Sequence, residues 1–223
     1  MKTKIGIVIL VAACAALAIA VVATKKSAAG ERKDTVAAMV ATDSKRLALA
    51  TASRTGADAN VIIPAKTLDM IGDATEMTIG ERHLFFTSGD RTLVSRTLDG
   101  QFPAYERIIP RDNGLIVVVS RQALMAALKR VVLVSEDNKA TYLNMSSGLI
   151  ELSSASAEVG SAVEPVVASC AFELKVCCNG EYILDFLNAA RNETIQLHLK
   201  DAKSALMMTD GDDHVGVAML MRN

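Results

Sequence analysis

The chain has 223 residues, 51% of them hydrophobic but only 4% aromatic and none Trp, which supplies an aliphatic core for one or two domains. Its net charge of −1 is unevenly placed: residues 1–35 carry six basic and two acidic side chains, leaving 18 and 23 for residues 36–223. A body of that sign excludes a simple basic nucleic-acid binder, so any DNA contact must come from a local cluster of Lys and Arg. Cys14, Cys170, Cys177 and Cys178 form no CxxC and no paired His spacing, so neither a zinc site nor a disulfide framework is supported. Cys177 and Cys178 are expected on opposite faces of a strand as small apolar fillers. His83, His198 and His214 lie far apart and no GxSxG, HExxH or GxxxxGK motif occurs, so no catalytic residue, metal or cofactor is expected. Asp210, Asp212 and Asp213 read as an acidic hairpin turn of solvated carboxylates.

The run Ile5 to Thr24 contains no charge. About 20 apolar residues in a helix span a bilayer core, so the run is expected to be a membrane segment. A cleaved signal ending at Ala18-Ile19-Ala20, or a misplaced start, is the alternative. The basic flank of Lys25, Lys26, Arg32 and Lys33 is heavier than that of Lys2 and Lys4, which favours a cytoplasmic C-terminal side. Residues 25–35 then read as a linker.

From Thr35 the texture is that of a folded domain. Val36 to Ala41 is strand-like and leads through the polar turn of ATDSKRLALA, residues 41–50, into a second strand. Val61 to Ile63 is a short strand stopped by Pro64. A helix is predicted over Thr67 to Ala74, with Leu68, Met70 and Ile71 inward. Met77 to Ile79, His83 to Ser88 and Arg91 to Leu98 follow as strands. The connector SRTLDGQFPAYERIIP, residues 95–110, pairs an Asp-Gly turn signal with Pro103 and Pro110. Its apolar Phe102, Tyr105 and Ile108 favour docking over free swinging.

Beyond the connector, strand, helix and three strands appear twice. The first set is Leu115 to Ser120, a helix over Arg121 to Val134, then Ala140 to Met145, Gly148 to Ser153 and Ala155 to Val163. In that helix Leu124, Ala127, Leu128 and Val131 recur at helical spacing. The second set is Ala171 to Cys177, a helix over Asn179 to Arg191, then Ile195 to Leu199, Ala205 to Thr209 and Val215 to Met221. Equivalent points lie roughly fifty-five residues apart, the mark of pseudo-symmetric α+β units.

Five stretches carry a resemblance to the bacterial sliding clamp family, the β subunit of the replicative DNA polymerase. ATDSKRLA is similar to the family's ATDGHRLA hairpin, matching at Thr42, Asp43, Arg46 and Leu47 and departing at Ser44 and Lys45. The connector resembles that between the second and third clamp domains. CNGEYILDFLNA resembles FNVxYLLDxLxA at Asn179, Tyr182, Leu184, Asp185 and Leu187. VAMLMRN resembles the C-terminal VVMPMRL, with Leu220 for Pro and Asn223 for the last apolar residue. IIPAK is similar to the IVPRK turn, with Ala65 for Arg.

The resemblance implies an α+β DNA-clamp fold of repeated strand-helix-three-strand units, helices on one face of antiparallel sheets. It divides the chain into residues 1–35, membrane-like or signal segment plus linker; 36–110, a partial second domain and connector; and 111–223, the third domain. The first domain, and the opening strand and helix of the second, are expected to be missing. It implies a non-catalytic processivity factor that encircles double-stranded DNA without reading bases. Phosphate contacts would come from Lys66, Arg121, Lys129, Arg130 and Arg191. An apolar peptide from the catalytic polypeptide of the polymerase or from the clamp loader would dock against Thr42, Ser44, Arg46, Leu47, Pro103, Arg107, Ile108, Val217, Met219, Leu220, Met221 and Arg222. The assembly would be a homo-oligomer or a mixed ring, its seam near Leu133 and Val134. The expected location is cytoplasmic, tethered to the inner face of the membrane through residues 5–24. The alternatives are a membrane-tethered peptide-binding module that does not encircle DNA, and a non-functional truncated clamp.

Overall fold

The computed structural model describes residues 2–5, 19–26, 35–55, 60–71, 74 and 76–222. These fall into two compact units, residues 1–106 and 107–223. The first holds eight strands, β1 (Lys2–Ile5), β2 (Ile19–Lys26), β3 (Thr35–Thr42), β4 (Arg46–Thr55), β5 (Asn60–Pro64), β6 (Glu76–Ile79), β7 (His83–Ser88) and β8 (Arg91–Arg96), with helix α1 (Ala65–Ile71) after β5. All pairings are antiparallel, and the spatial order is β5-β2-β3-β4-β1-β6-β7-β8. The two ends of that order meet where the Leu98 amide donates to the Ile62 carbonyl at 3.0 Å.

The second unit repeats this plan. Its elements are β9 (Leu115–Ser120), α2 (Arg121–Leu133), β10 (Ala140–Ser146), β11 (Leu149–Ser156), β12 (Gly160–Ser169), β13 (Leu174–Asn179), α3 (Gly180–Ala189), β14 (Thr194–Leu199), β15 (Leu206–Asp210) and β16 (His214–Ala218). Their order is β13-β10-β11-β12-β9-β14-β15-β16, each strand the counterpart of the one eight earlier. Here too the ends meet, at a bridge between Cys178 and Leu220.

This pairing corrects the membrane expectation. Ile19 to Thr24 is not helical: within β2, Ala20 opposes Ala41 on one side and Ile63 on the other, and Val22 opposes Met39 and Val61. A strand held on both edges cannot be the end of a membrane-crossing helix. Among the described residues no helix is long and apolar enough to cross a membrane. Residues 6–18, the rest of that run, lie outside the described residues. The expectation of a missing opening strand also falls, because β1 lies between β4 and β6. Lys25 and Lys26, read as linker, end β2; residues 27–34 lie outside the described residues.

The cores follow the sequence periodicities. In the second unit Leu124, Ala127, Leu128 and Val131 of α2 and Ile183, Phe186 and Leu187 of α3 pack on inward residues of the sheet, among them Leu143, Leu152, Val176 and Leu197. In the first, Leu68 and Ile71 of α1 meet Met39, Ile63, Met77 and Phe86. Met70, expected inward, is 61% exposed. A helix whose buried positions are Thr67, Leu68 and Ile71 turns position 70 outward.

Strand β12, expected over Ala155 to Val163, instead runs from Gly160 to Ser169 through Pro165. The Ala168 amide donates toward β11 at Gly148, so by alternation position 165 points to the opposite edge. There β12 pairs with β9 only at Ala168 and Ser169, and no ladder bond is lost to the proline. Cys177 and Cys178 are both buried, at 5% and 0% exposure, and Cys178 belongs to the core. Burial pushes the Cys178 thiol up to about 12, which keeps it a neutral filler.

Candidate peptide and DNA surfaces

The hairpin between β3 and β4 is built around Asp43. One carboxylate oxygen accepts from the Lys45 and Arg46 amides at 3.0 Å each, and the other accepts from the Arg46 Nε at 2.9 Å. The Thr42 hydroxyl donates to the Arg46 carbonyl at 2.7 Å and accepts from the Ser44 amide at 3.3 Å. Burial pushes the Asp43 carboxyl upward, but the Arg46 side chain and the two amides outweigh it and hold the group below its ordinary value. Ser44 makes the tight turn with φ of 69°, the left-handed region where Gly is at ease. Leu47 is buried at 3% exposure, so it supports the hairpin from below while Ser44 is exposed.

The connector turns at Tyr105–Arg107, a single 3-10 turn in which the Tyr105 amide donates to the Pro103 carbonyl at 2.7 Å. Phe102 meets Tyr105 edge to face with ring centroids 6.4 Å apart, and Tyr105 is buried. Pro103 and Arg107 are exposed, and Ile108 is 41% exposed.

The tail carries the remaining groove candidates. Val217 is buried within β16, which ends at Ala218. From there the chain crosses to β13, where the Met221 amide donates to the Cys177 carbonyl at 2.8 Å. Strand alternation therefore does not extend through Met219 to Met221. Met219 is half-exposed, Leu220 and Met221 are partly covered, and Arg222 is exposed. The hairpin and Pro103 belong to the first unit and the other candidates to the second.

The cationic candidates divide into two kinds. Arg121 donates from Nη1 to the Leu187 carbonyl at 3.1 Å and from Nε to the Asn192 carbonyl at 3.2 Å, tying the start of α2 to the end of α3. Arg130 makes a bidentate pair with Glu164 at 2.7 and 3.0 Å. Both guanidinium groups are thus engaged inside the unit. Lys66, Lys129 and Arg191 are exposed and form no ion pair with another described residue.

Sequence reasoning missed the pair under the last hairpin. Asp210, expected in a solvated turn, is 4% exposed and accepts from the Arg191 and Asn192 amides at 2.6 and 3.0 Å. His214 lies 3.8 Å from it and stacks on Phe186 at 4.6 Å, while its Nε2 has no hydrogen-bond partner among the described residues. A buried i,i+4 Asp-His pair across a Gly turn has no pattern that separates it from an exposed one. Asp212 and Asp213 are exposed, as expected.

Two family models cover the chain. The model for the C-terminal domain of the DNA polymerase III beta subunit matches residues 106–222, and the model for its central domain matches residues 27–104. The chain belongs to the DNA polymerase III beta subunit family. The beta sliding clamp of Pseudomonas aeruginosa is 33% identical over 197 residues, covering 82% of this chain and 54% of the relative. That of Caulobacter vibrioides is 31% identical over 186 residues, covering 78% and 50%. Among solved structures, the Pseudomonas aeruginosa DNA polymerase III subunit beta matches with a TM-score of 0.88 at 25% identity, covering all of this chain and 66% of the other. A sliding clamp from the same organism bound to griselimycin matches with a TM-score of 0.84 at 25% identity, again over 100% and 66%. The chain spans about half the length of the curated relatives it matches. The family assignment agrees with the α+β clamp fold implied by the sequence.

Proposed function

We propose that the chain works as a sliding clamp, a non-catalytic processivity factor that stays on double-stranded DNA and tethers a polymerase through a peptide-binding surface. The observation that carries this reading is the unbroken succession of central and C-terminal family domains, each built on the same order of eight antiparallel strands, with the described helices packed on the sheets. Such a scaffold has no bond to make or break. Retention comes from topology, and sliding from phosphate contacts that read no sequence. Lys66, Lys129 and Arg191 are the strongest candidates for these contacts, since their charges are not neutralised by a described carboxylate. Arg121 and Arg130 would contribute only by releasing their present partners.

The peptide surface would comprise the Thr42 to Leu47 hairpin, Pro103, Arg107, Ile108 and the Val217 to Arg222 tail. Its visitors would be apolar segments of the polymerase's catalytic polypeptide and of the clamp loader, and a cytoplasmic location follows from that role. Encirclement would require further clamp domains, supplied by more copies of this chain or by a longer clamp in a mixed ring. The test is retention on nicked circular DNA, with the same DNA linearised as control. Loss from the linear form alone would mark encirclement, and equal loss from both would refute it. The engaged Arg121 and Arg130 favour a second reading, a peptide-binding module that does not encircle DNA. It predicts peptide binding with no topological retention.

A further inference from the structure

The turn that follows α3 is exposed at Arg191, Asn192 and Glu193, yet its backbone is held from two sides. From the last hairpin, Asp210 accepts the Arg191 amide at 2.6 Å and the Asn192 amide at 3.0 Å, one on each carboxylate oxygen. From the start of α2, the Arg121 side chain donates to the Leu187 and Asn192 carbonyls, and the Arg121 amide donates to the Glu193 carbonyl at 2.8 Å.

Strand alternation places Asp210 there. Leu206, Met208 and Asp210 share the inward face of β15, so the carboxylate, 4% exposed, ends a row of core side chains. A buried carboxylate is costly unless donors meet it, and beside the C-terminal end of a helix it also faces the negative end of the dipole. An apolar side chain would continue the row without either cost. What the carboxylate supplies instead is two acceptors spaced for successive amides, and the first of those amides belongs to Arg191. The Arg191 side chain is exposed and forms no ion pair with another described residue. His214 lies beside the carboxylate and stacks on Phe186 of α3, so the hairpin that carries Asp210 is itself braced against the helix.

We propose that Asp210 is a positioning residue: by clasping two successive amides it sets the turn from which Arg191 reaches a DNA phosphate. The assignment rests on the reading of Arg191 as a phosphate contact and adds the group that aims it. The salt dependence of retention on nicked circular DNA is measured for the whole chain, for Arg191→Ala, for Asp210→Asn and for the double variant. Asn keeps the shape of Asp but turns a donor toward one of the two amides, so only one of the bonds survives. Arg191→Ala is expected to make the slope shallower by about 0.9, Asp210→Asn to remove a similar amount, and the double variant to lose no more than either single one. Ser154→Ala removes the bond from a buried hydroxyl to the Ala140 carbonyl and is the control for stability alone. It should lower the melting temperature and leave the slope as it was. Should Asp210→Asn not fold, Asp210→Glu, which keeps the acceptors but displaces them by one methylene, is read in its place. An unchanged slope in the Asp210 variant beside a shallower one in Arg191→Ala overturns the positioning role and leaves the DNA reading standing. A double variant whose loss equals the sum of the two, or a matching loss in Ser154→Ala, overturns that role as well. An unchanged slope in Arg191→Ala overturns the phosphate contact and this inference with it.

Discussion

At the level of single residues, the chain keeps local geometry that its side chains do not favour. Ser44 occupies the left-handed region at φ 69°, held there by the Asp43 and Thr42 bonds. A β-branched side chain is worse in that region, so Ser44→Val is expected to cost about 1–2 kcal/mol, whereas Ser44→Gly avoids the cost. Urea unfolding separates the two, and equal midpoints would show that the turn relaxes freely. His214 makes a pH prediction. Burial lowers its basicity below the ordinary 6.5, against the opposing pull of Asp210 and Asp213 and together with the repulsion of Arg191. The unfolded chain therefore binds a proton on His214 from about 6.5 downward while the folded chain resists it. Its stabilising contribution is complete above that pH and is lost as pH falls through the lower folded value. His198, also lowered by burial, acts in the same direction. His214→Phe should flatten part of the decline in melting temperature between about pH 7 and pH 5, and an unchanged slope would place the titration elsewhere.

At the level of elements, packing decides what composition leaves open. The two helices of the second unit approach closely where α3 begins: a Cβ on Gly180 would lie 2.5 Å from the Thr141 Oγ1 and 2.6 Å from the Val132 Cγ2. Gly180→Ala is therefore expected to destabilise the unit by about 1–3 kcal/mol through overpacking, despite the better helix propensity of Ala. Guanidinium unfolding checks the sign, and a stabilised variant would mean that α2 and β10 yield easily. The helices are legible in the sequence because Leu124, Ala127, Leu128 and Val131 repeat at a clean helical period, and α2 and α3 have Ser120 and Asn179 as N-caps. Met70 is not, because a seven-residue helix gives too few turns to fix its face. The uncharged Ile5 to Thr24 run misleads more seriously. An apolar strand paired on both edges shows the same kind of uncharged run as a membrane helix. Only the partners, Met39 and Val61 opposite Val22, separate the two. The hairpin is legible by its resemblance, but the engagement of Arg121 and Arg130 is not, since spacing cannot tell a solvated guanidinium from one clasped by Leu187 or Glu164.

For the molecule as a whole, an acidic body and a DNA-retaining role make opposite demands, and the placement of unpaired cations is how they can be reconciled. Each Lys or Arg that neutralises a phosphate releases about one condensed counterion, so affinity should fall with salt at a slope near about −0.9 per contact. If Lys66, Lys129 and Arg191 make such contacts, replacing all three by Ala should reduce the steepness of that plot by about 3. Removing Arg121 or Arg130 should change it little and lower stability instead, because their bonds tie α3 and β12 to α2. The measurement is the salt dependence of retention on nicked circular DNA, with native mass recorded on the same sample to fix how many chains surround it. A slope unaltered by the triple variant would remove these three residues from the DNA surface. A slope near zero in the parent, with peptide binding intact, would instead select the module that holds partners without enclosing DNA. Because mass and slope are independent, a ring that forms without phosphate contacts and a phosphate-binding monomer would each be recognised for what they are.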